Sequence, residues 1–231
     1  LIKAMAADAP NGWFPRGFSG EQPYWTIVGI DGGREQGLIG EDGAVEVAKG
    51  GFSIEPFVVA DGKLVTWADV TIKQSLQDGY LPIPSVHWTH PGFKLDIASF
   101  GEGEPDDSRL VTRYRLTNTT QEAADYTLQL RVRPLQVNPP SQFLNTTGGV
   151  SPIETVRISP NTVDVDGRLV VFSRDATQMQ VSAFASQDTP LMMPSWHSAP
   201  RVRDPEKLAS AALDYVVRLA PGESLDVAWV S

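Results

Sequence analysis

The sequence predicts an all-β fold, a large antiparallel two-sheet β-sandwich carrying one short helix. Three observations lead there. Asp-Gly dipeptides recur between alternating runs, at Asp42-Gly43, Asp61-Gly62, Asp78-Gly79 and Asp166-Gly167, and both residues tolerate the positive φ of tight hairpin turns. Apolar and polar residues alternate with a period of two along most of the chain, so each strand has one apolar face. Helix signals are confined to one stretch. The runs amount to about 14 strands, more than a simple sandwich uses and suited to a large twisted double sheet.

The elements follow in order. The first strands lie in "YWTIVGI" (24–30), which leads to the turn "DGGR", and in "EQGLIG", which leads to Asp42-Gly43. "GFSIEPFVVA" and "KLVTWADVTIKQSL" flank Asp61-Gly62, with Glu55 and Asp69 set inside apolar runs. A carboxylate facing a core has to be paired or raised in pKa, whereas one pointing outward needs neither. In "SRLVTRYRLTN" (108–118), Leu110, Thr112, Tyr114 and Leu116 share a face. In "DYTLQLRVRP" (125–134), Tyr126, Leu128, Leu130 and Val132 do the same. The opposite faces meet water or a further layer. Pro139-Pro140 cannot sit in a central strand, so that strand ends by Val137. Short β patterns continue through "TVDVDGRLVVFS", "MQVSAFAS", "ALDYVVRL" and "SLDVAWV". The helix is placed at "DPEKLASAA" (204–212), with Asp204 as N-cap, Pro205 in the first turn and Glu206 near the positive end of the dipole. Without internal repeats or a long linker, residues 24–231 read as one sandwich domain. Residues 1–23 form an extension that packs on it or precedes it.

Composition narrows the function. The 231 residues are 41% hydrophobic and 20% charged, with a net charge of −9. That acidic surface, without a Lys/Arg run, excludes nucleic acid as a partner. The absence of cysteine excludes disulfides, thiol nucleophiles and cysteine zinc sites. No apolar run reaches the ~20 residues of a membrane helix, so no membrane span is expected. No phosphate loop, dinucleotide fingerprint or G-x-S-x-G elbow occurs, and no cofactor is expected. The opening "LIKAMAADAPNGWF" has neither a starting Met nor a signal-peptide pattern, and "SLDVAWVS" stops within a strand. Both ends suggest a piece excised from a longer protein.

Candidate sites are few. In "HWTH", His87 and His90 are three apart, which on a strand sends them to opposite faces, so the pair suits a strand end before Pro91-Gly92 better than a metal. "GEGEPDDS" (101–108) reads as a solvated acidic turn, since it lacks the spaced oxygen ligands of a calcium loop. Gln136, Asn138, Gln142 and Asn145 form an amide cluster around Phe143. Such amides can bracket sugar hydroxyls above an aromatic platform, or satisfy the backbone of a proline-broken crossover. Trp196 and His197 share a proline-rich loop, where the indole can stack on a sugar, contact another domain or anchor the loop.

Several stretches carry a family resemblance: "PYWTIVGIDGGREQGLIGEDGAVEV", "GFSIEPFVVADGKLVTWADVTIKQSLQDGYLPIPSVHW", "VTRYRLTNTT" and "LRVRPLQVNPPSQFLN". They resemble the galactose mutarotase-like supersandwich that precedes a six-hairpin helical barrel in large bacterial glycoside-hydrolase-like proteins. The resemblance implies a non-catalytic domain packed on a helical barrel of the same polypeptide, because that family's catalytic carboxylates lie on the barrel. It implies a parent of hydrolase or phosphorylase type, a periplasmic or secreted place, and an oligo- or polysaccharide as a further partner. The 136–145 and 194–198 loops would then meet the barrel or the glycan. Two alternatives stay open. A self-contained sugar epimerase needs a histidine and a carboxylate converging in a cleft, and no residue of this chain takes that role by motif. A free carbohydrate-binding module would use the concave sheet face with Trp67, Trp88 or Trp196 exposed.

Overall fold

The computed structural model describes residues 2–33, 36–138, 149–184 and 196–231. One short helix, α1 (Ile2–Asp8), is followed by strands β1 (Trp25–Val28), β2 (Gly37–Gly40), β3 (Val45–Glu46), β4 (Ser53–Ala60) and β5 (Lys63–Val65). Four long strands come next: β6 (Thr71–Gln77), β7 (Leu81–Thr89), β8 (Phe93–Glu104) and β9 (Asp107–Asn118). The chain then forms β10 (Ala124–Arg133), β11 (Thr155–Ser159), β12 (Thr162–Val165), β13 (Arg168–Phe172) and β14 (Gln178–Ser182). It closes with β15 (Arg201–Arg203), β16 (Ser210–Leu219) and β17 (Ser224–Val230). The described residues thus hold 17 strands where the sequence suggests about 14, because short strands such as β3, β5 and β15 are only two or three residues long.

The strands form two antiparallel sheets. The first has eight, in the order β1-β2-β3-β4-β10-β16-β14 with β5 added to β4. The second has nine, in the order β15-β11-β12-β13-β17-β9-β8-β7-β6. The predicted two-sheet sandwich is the observed architecture. Between the sheets, Leu128, Leu130 and Leu213 of the first meet Leu95, Leu116 and Val227 of the second in one buried core. Alternation explains this, since each of these residues is one of a period-2 series on its strand.

Three Asp-Gly pairs make tight hairpin turns, of two residues at Asp61-Gly62 and Asp166-Gly167 and of three at Asp78-Gly79-Tyr80. Asp61, Asp78 and Asp166 have φ near +50° (52°, 53° and 50°), each followed by a glycine at positive φ. They close β4–β5, β6–β7 and β12–β13. Asp42-Gly43 joins β2 to β3 but behaves differently. Only Gly43 enters the left-handed region, at φ 90°, and a Cβ there would stand 2.4 Å from Ile97 Cδ1. This turn is tucked into the core, where the Trp88 indole donates to the Asp42 carbonyl at 3.0 Å.

The helix expected at 204–212 does not form. Asp204 does cap, its carboxylate accepting from the backbone N–H of Glu206, Leu208 and Phe184. Lys207, however, takes φ 58°, and Ser210–Ala212 open β16, pairing with β14 and β10. Burial of Ala209, Ala211 and Ala212 against the sheet overrides alanine's helix preference. The helix lies instead at Ile2–Asp8.

Ile2, Phe14 and Phe18 of the N-terminal segment pack with Leu135 in a second apolar cluster. A buried carboxylate ties this segment down. Asp42 Oδ2 accepts from Arg16 N at 2.6 Å and Oδ1 from Ala44 N at 3.0 Å. Burial pushes the Asp42 carboxyl from 3.8 up to about 6, against the downward pull of those two N–H groups. A folded pKa above the unfolded value means that the folded chain holds its proton more tightly. The resulting stability is complete below about pH 4 and is lost as pH rises through 6, a contribution of about 3 kcal/mol. Asp42→Asn removes that dependence. In urea titrations, the stability difference between wild type and Asp42→Asn should change by about 3 kcal/mol between about pH 4 and 7, the wild type losing ground as pH rises. A constant difference would show that Asp42 titrates as an ordinary carboxyl.

Candidate functional site

Gln136 and Asn138 are used by the fold. The chain leaving β10 bridges Leu135 to Val150, Gln136 N donates to Gly149 O at 2.8 Å, and Gly149 N donates to Asn138 O at 2.9 Å. The Gln136 amide donates to Gly50 O at 2.8 Å. Glu46 accepts from Asn138 N at 3.1 Å and from Gly50 N at 2.8 Å. Burial raises the Glu46 carboxyl, and these N–H groups oppose that rise. These contacts use the Gln136 side-chain N–H and the Asn138 backbone, while Gln136 Oε1 is buried without a hydrogen-bond partner. Gln142, Phe143 and Asn145 lie outside the described residues. His197 is exposed and pairs through its backbone with Val181, at 2.9 Å in both directions. Trp88 is core, and Trp67 donates its indole N–H to Phe14 O. Neither is an exposed platform.

A cluster that the sequence leaves implicit lies under Trp196. β10 sends Leu128, Leu130 and Val132 inward, and therefore sends Gln129, Arg131 and Arg133 to the other face of the first sheet. That face is also buried. Arg133, at 0% exposure, lies against the Phe14 ring at 5.5 Å. It pairs with Glu55 on β4 through both Nε and Nη2, while Ser53 Oγ donates to Glu55 Oε1 at 2.6 Å. One row along, Gln129 links two charges, donating to Asp214 Oδ1 at 2.7 Å and accepting from Arg131 Nε at 2.5 Å. The Arg131 guanidinium lies 4.0 Å from the centre of the Phe57 ring and 5.9 Å from that of Trp196. The sequence signal was the "LQLRVR" alternation, which sets three polar residues opposite three core residues.

The outer face of the second sheet is different. Cross-strand register aligns Lys73, His87, Asp96, Arg115 and Asp226 across five strands. His87 Nδ1 meets Asp96 Oδ1 at 2.6 Å, and its Nε2 meets Ser75 Oγ at 2.8 Å. Arg115 makes a two-point contact with Asp226 at 2.8 and 3.0 Å. These groups satisfy one another on an exposed strand surface, and the sheet's own ladder uses the backbone donors that an oxyanion would need. His90 stacks on Phe93 at 4.7 Å as part of a strand end. Among the described residues, no group of three His, Asp or Glu side chains could hold a metal. Among the same described residues, no helix is long and apolar enough to cross a membrane.

A groove of about 370 Å³ runs between β1–β2 and the β6–β7 hairpin, bounded by Thr26, Ile39, Leu76 and Pro84. Among the described residues, Tyr24, Ile27, Leu76 and Tyr80 are exposed apolar side chains on or next to those elements, Tyr80 reaching 75%.

No protein-family model matches the sequence, and no curated protein matches it. Part of a solved structure shares the fold. A bacterial glucoamylase complexed with acarbose aligns with a TM-score of 0.55 at 12% identity, over 96% of this chain and 34% of that chain. A family GH92 α-mannosidase from Bacteroides thetaiotaomicron aligns with a TM-score of 0.45 at 14% identity, over 98% of this chain and 33% of that one. The chain therefore spans about a third of the length of the glucoamylase, and has the fold of that part of it.

The buried ion pair makes a direct prediction. Glu55→Ala leaves Arg133 charged, buried and without its carboxylate, and should cost about 3–5 kcal/mol in urea unfolding. The double variant Glu55→Ala/Arg133→Met should cost less than Glu55→Ala alone. A double-variant cost equal to the sum of the Glu55→Ala and Arg133→Met costs would show that the pair is not coupled.

Proposed function

We propose that this chain is the non-catalytic β-sandwich domain of a multidomain carbohydrate-active protein of glycoside-hydrolase or phosphorylase type, packed against a helical-barrel domain of the same polypeptide. One observation carries the reading. Nearly the whole chain, 96%, corresponds to only 34% of a glucoamylase chain. In this reading residues 24–231 act as one mutarotase-like sandwich and residues 1–23 as a strap laid on it. The side chains agree with a non-catalytic role. The His87–Asp96 contact is on an open face, and Glu55 is bound by Arg133 and Ser53 rather than facing a cleft.

The groove beside the β6–β7 hairpin is the docking surface. Leu76 and Pro84 line it and Tyr24, Ile27 and Tyr80 are exposed on or next to the strands beside it, an apolar surface that suits the flank of a helical layer better than a polar glycan. The Trp196–His197 loop is left to carry any carbohydrate contact.

Ile27→Ser with Tyr80→Ser removes exposed apolar surface and should leave the sandwich folded. In the complete protein this double variant should split a single calorimetric transition into two and reduce activity on oligosaccharides several-fold. The isolated 231-residue chain should release no sugar from glycans. Glycan cleavage by the isolated chain, or a native polypeptide of only 25.1 kDa on an immunoblot, would overturn the reading.

A further inference from the structure

A strand at the edge of a sheet leaves backbone N–H and C=O groups unpaired, and folds usually shorten, charge or cover it. Among the described residues, this sandwich treats its edges unequally. β5 and β15 are three residues long, and β15 reads Arg-Val-Arg. β1 has four residues. β14 is covered, because Val181 and His197 exchange backbone hydrogen bonds at 2.9 Å. β6 is the exception. It closes the second sheet, pairs with β7 alone and runs for seven residues, of which only Ile72 is half-buried and the rest are exposed. Apart from turn bonds at Leu76 and Gln77, its backbone is bonded only to β7.

The side chains of β6 complement a copy of themselves. Ile72 lies opposite Trp88, so Ile72, Gln74 and Leu76 take the core side of the hairpin. Lys73 and Ser75 take the outer side, where Ser75 Oγ meets His87 Nε2 at 2.8 Å. Two antiparallel copies of one strand are related by a two-fold axis, which opposes odd positions to odd and even to even. An axis through Gln74 sets Ile72 against Leu76 and Lys73 against Ser75, each twice. Apolar then meets apolar, and the ammonium meets a hydroxyl. An axis through Lys73 would oppose two ammonium groups, and one through Ser75 would oppose Ile72 to Asp78. Lys73 therefore selects a register instead of blocking the edge. The ladder of β6 is regular up to Leu76 and shifts at Gln77, which limits the pairing to 72–76. A chain of net charge −9 repels its own copy over most of its surface, but β6 carries no carboxylate.

We propose that this chain forms a two-fold dimer in which the β6 edges pair antiparallel about Gln74 and join the two nine-stranded sheets into one. Main-chain hydrogen bonds supply the affinity, and the Ile72–Leu76 and Lys73–Ser75 pairs fix the register.

The test measures the mass of the purified chain by sedimentation equilibrium from low to high micromolar concentration. The mass should rise from 25.1 kDa towards twice that value. Ser75→Lys sets an ammonium against Lys73 of the other copy at two places, and should weaken the dimer about tenfold or more. Lys73→Glu/Ser75→Lys turns that repulsion into attraction and should restore it. The chain has no cysteine, so Gln74→Cys probes the axis directly. Opposed residues of an antiparallel pair have Cα atoms about 5 Å apart, within reach of a disulfide. Gln74→Cys should therefore oxidise to a covalent dimer, and Lys63→Cys, exposed on β5, should not. Circular dichroism establishes that each variant is folded. Three results would each overturn the proposal: a chain monomeric at every concentration, a dimer unaffected by Ser75→Lys, or cross-linking of Gln74→Cys no faster than that of Lys63→Cys. None of them bears on the docking of a helical domain, which is read from the complete protein.

Discussion

The contact between Arg133 and Glu55 is the constraint around which the first sheet is arranged. Both are buried on the face turned away from the second sheet, so the sheet needs a cover on each side. An ion pair without water is stable only when its geometry is good and its remaining hydrogen bonds are filled. Ser53 fills one, and the Phe14 ring shields the guanidinium. That in turn requires the N-terminal segment to lie across the sheet, and Asp42 holds Arg16 there. The core between the sheets, the pair behind the first sheet and the strap outside it therefore depend on one another.

Strand alternation made the sandwich legible in the sequence, but not what covers its outer faces. In β10, the series Tyr126, Leu128, Leu130 and Val132 marked the inner face, and those residues lie in the core. The other series, Gln129, Arg131 and Arg133, is equally compatible with water. Nothing local distinguishes a charged residue facing solvent from one facing a strap more than a hundred residues away in sequence. Glu55 stood out as a carboxylate in an apolar run, yet its partner is 78 positions on. Gln136 was read as either ligand or crossover, and its amide N–H is used by Gly50 O, 86 positions away, while its Oε1 has no partner.

The helix error has the same origin. "DPEKLASAA" contains a real cap, since Asp204 accepts three backbone N–H groups. One of those donors is Phe184, twenty residues earlier, so the carboxylate joins two chain segments instead of starting a helix. Small residues at 209–212 are there because the sheet is close-packed around them. Helix propensity differences of a few tenths of a kcal/mol per residue do not compete with that burial.

The two outer faces then divide the work that the molecule can do. On the second sheet, His87, Asp96, Arg115 and Asp226 are paired in cross-strand contacts, so a ligand arriving there would have to break charge pairs before making its own. On the first sheet, most charges are paired, but Arg131 and Ser210 keep idle groups in a buried setting. The covered face therefore keeps its idle donors inside the packed structure, whereas the exposed face pairs its charges with one another.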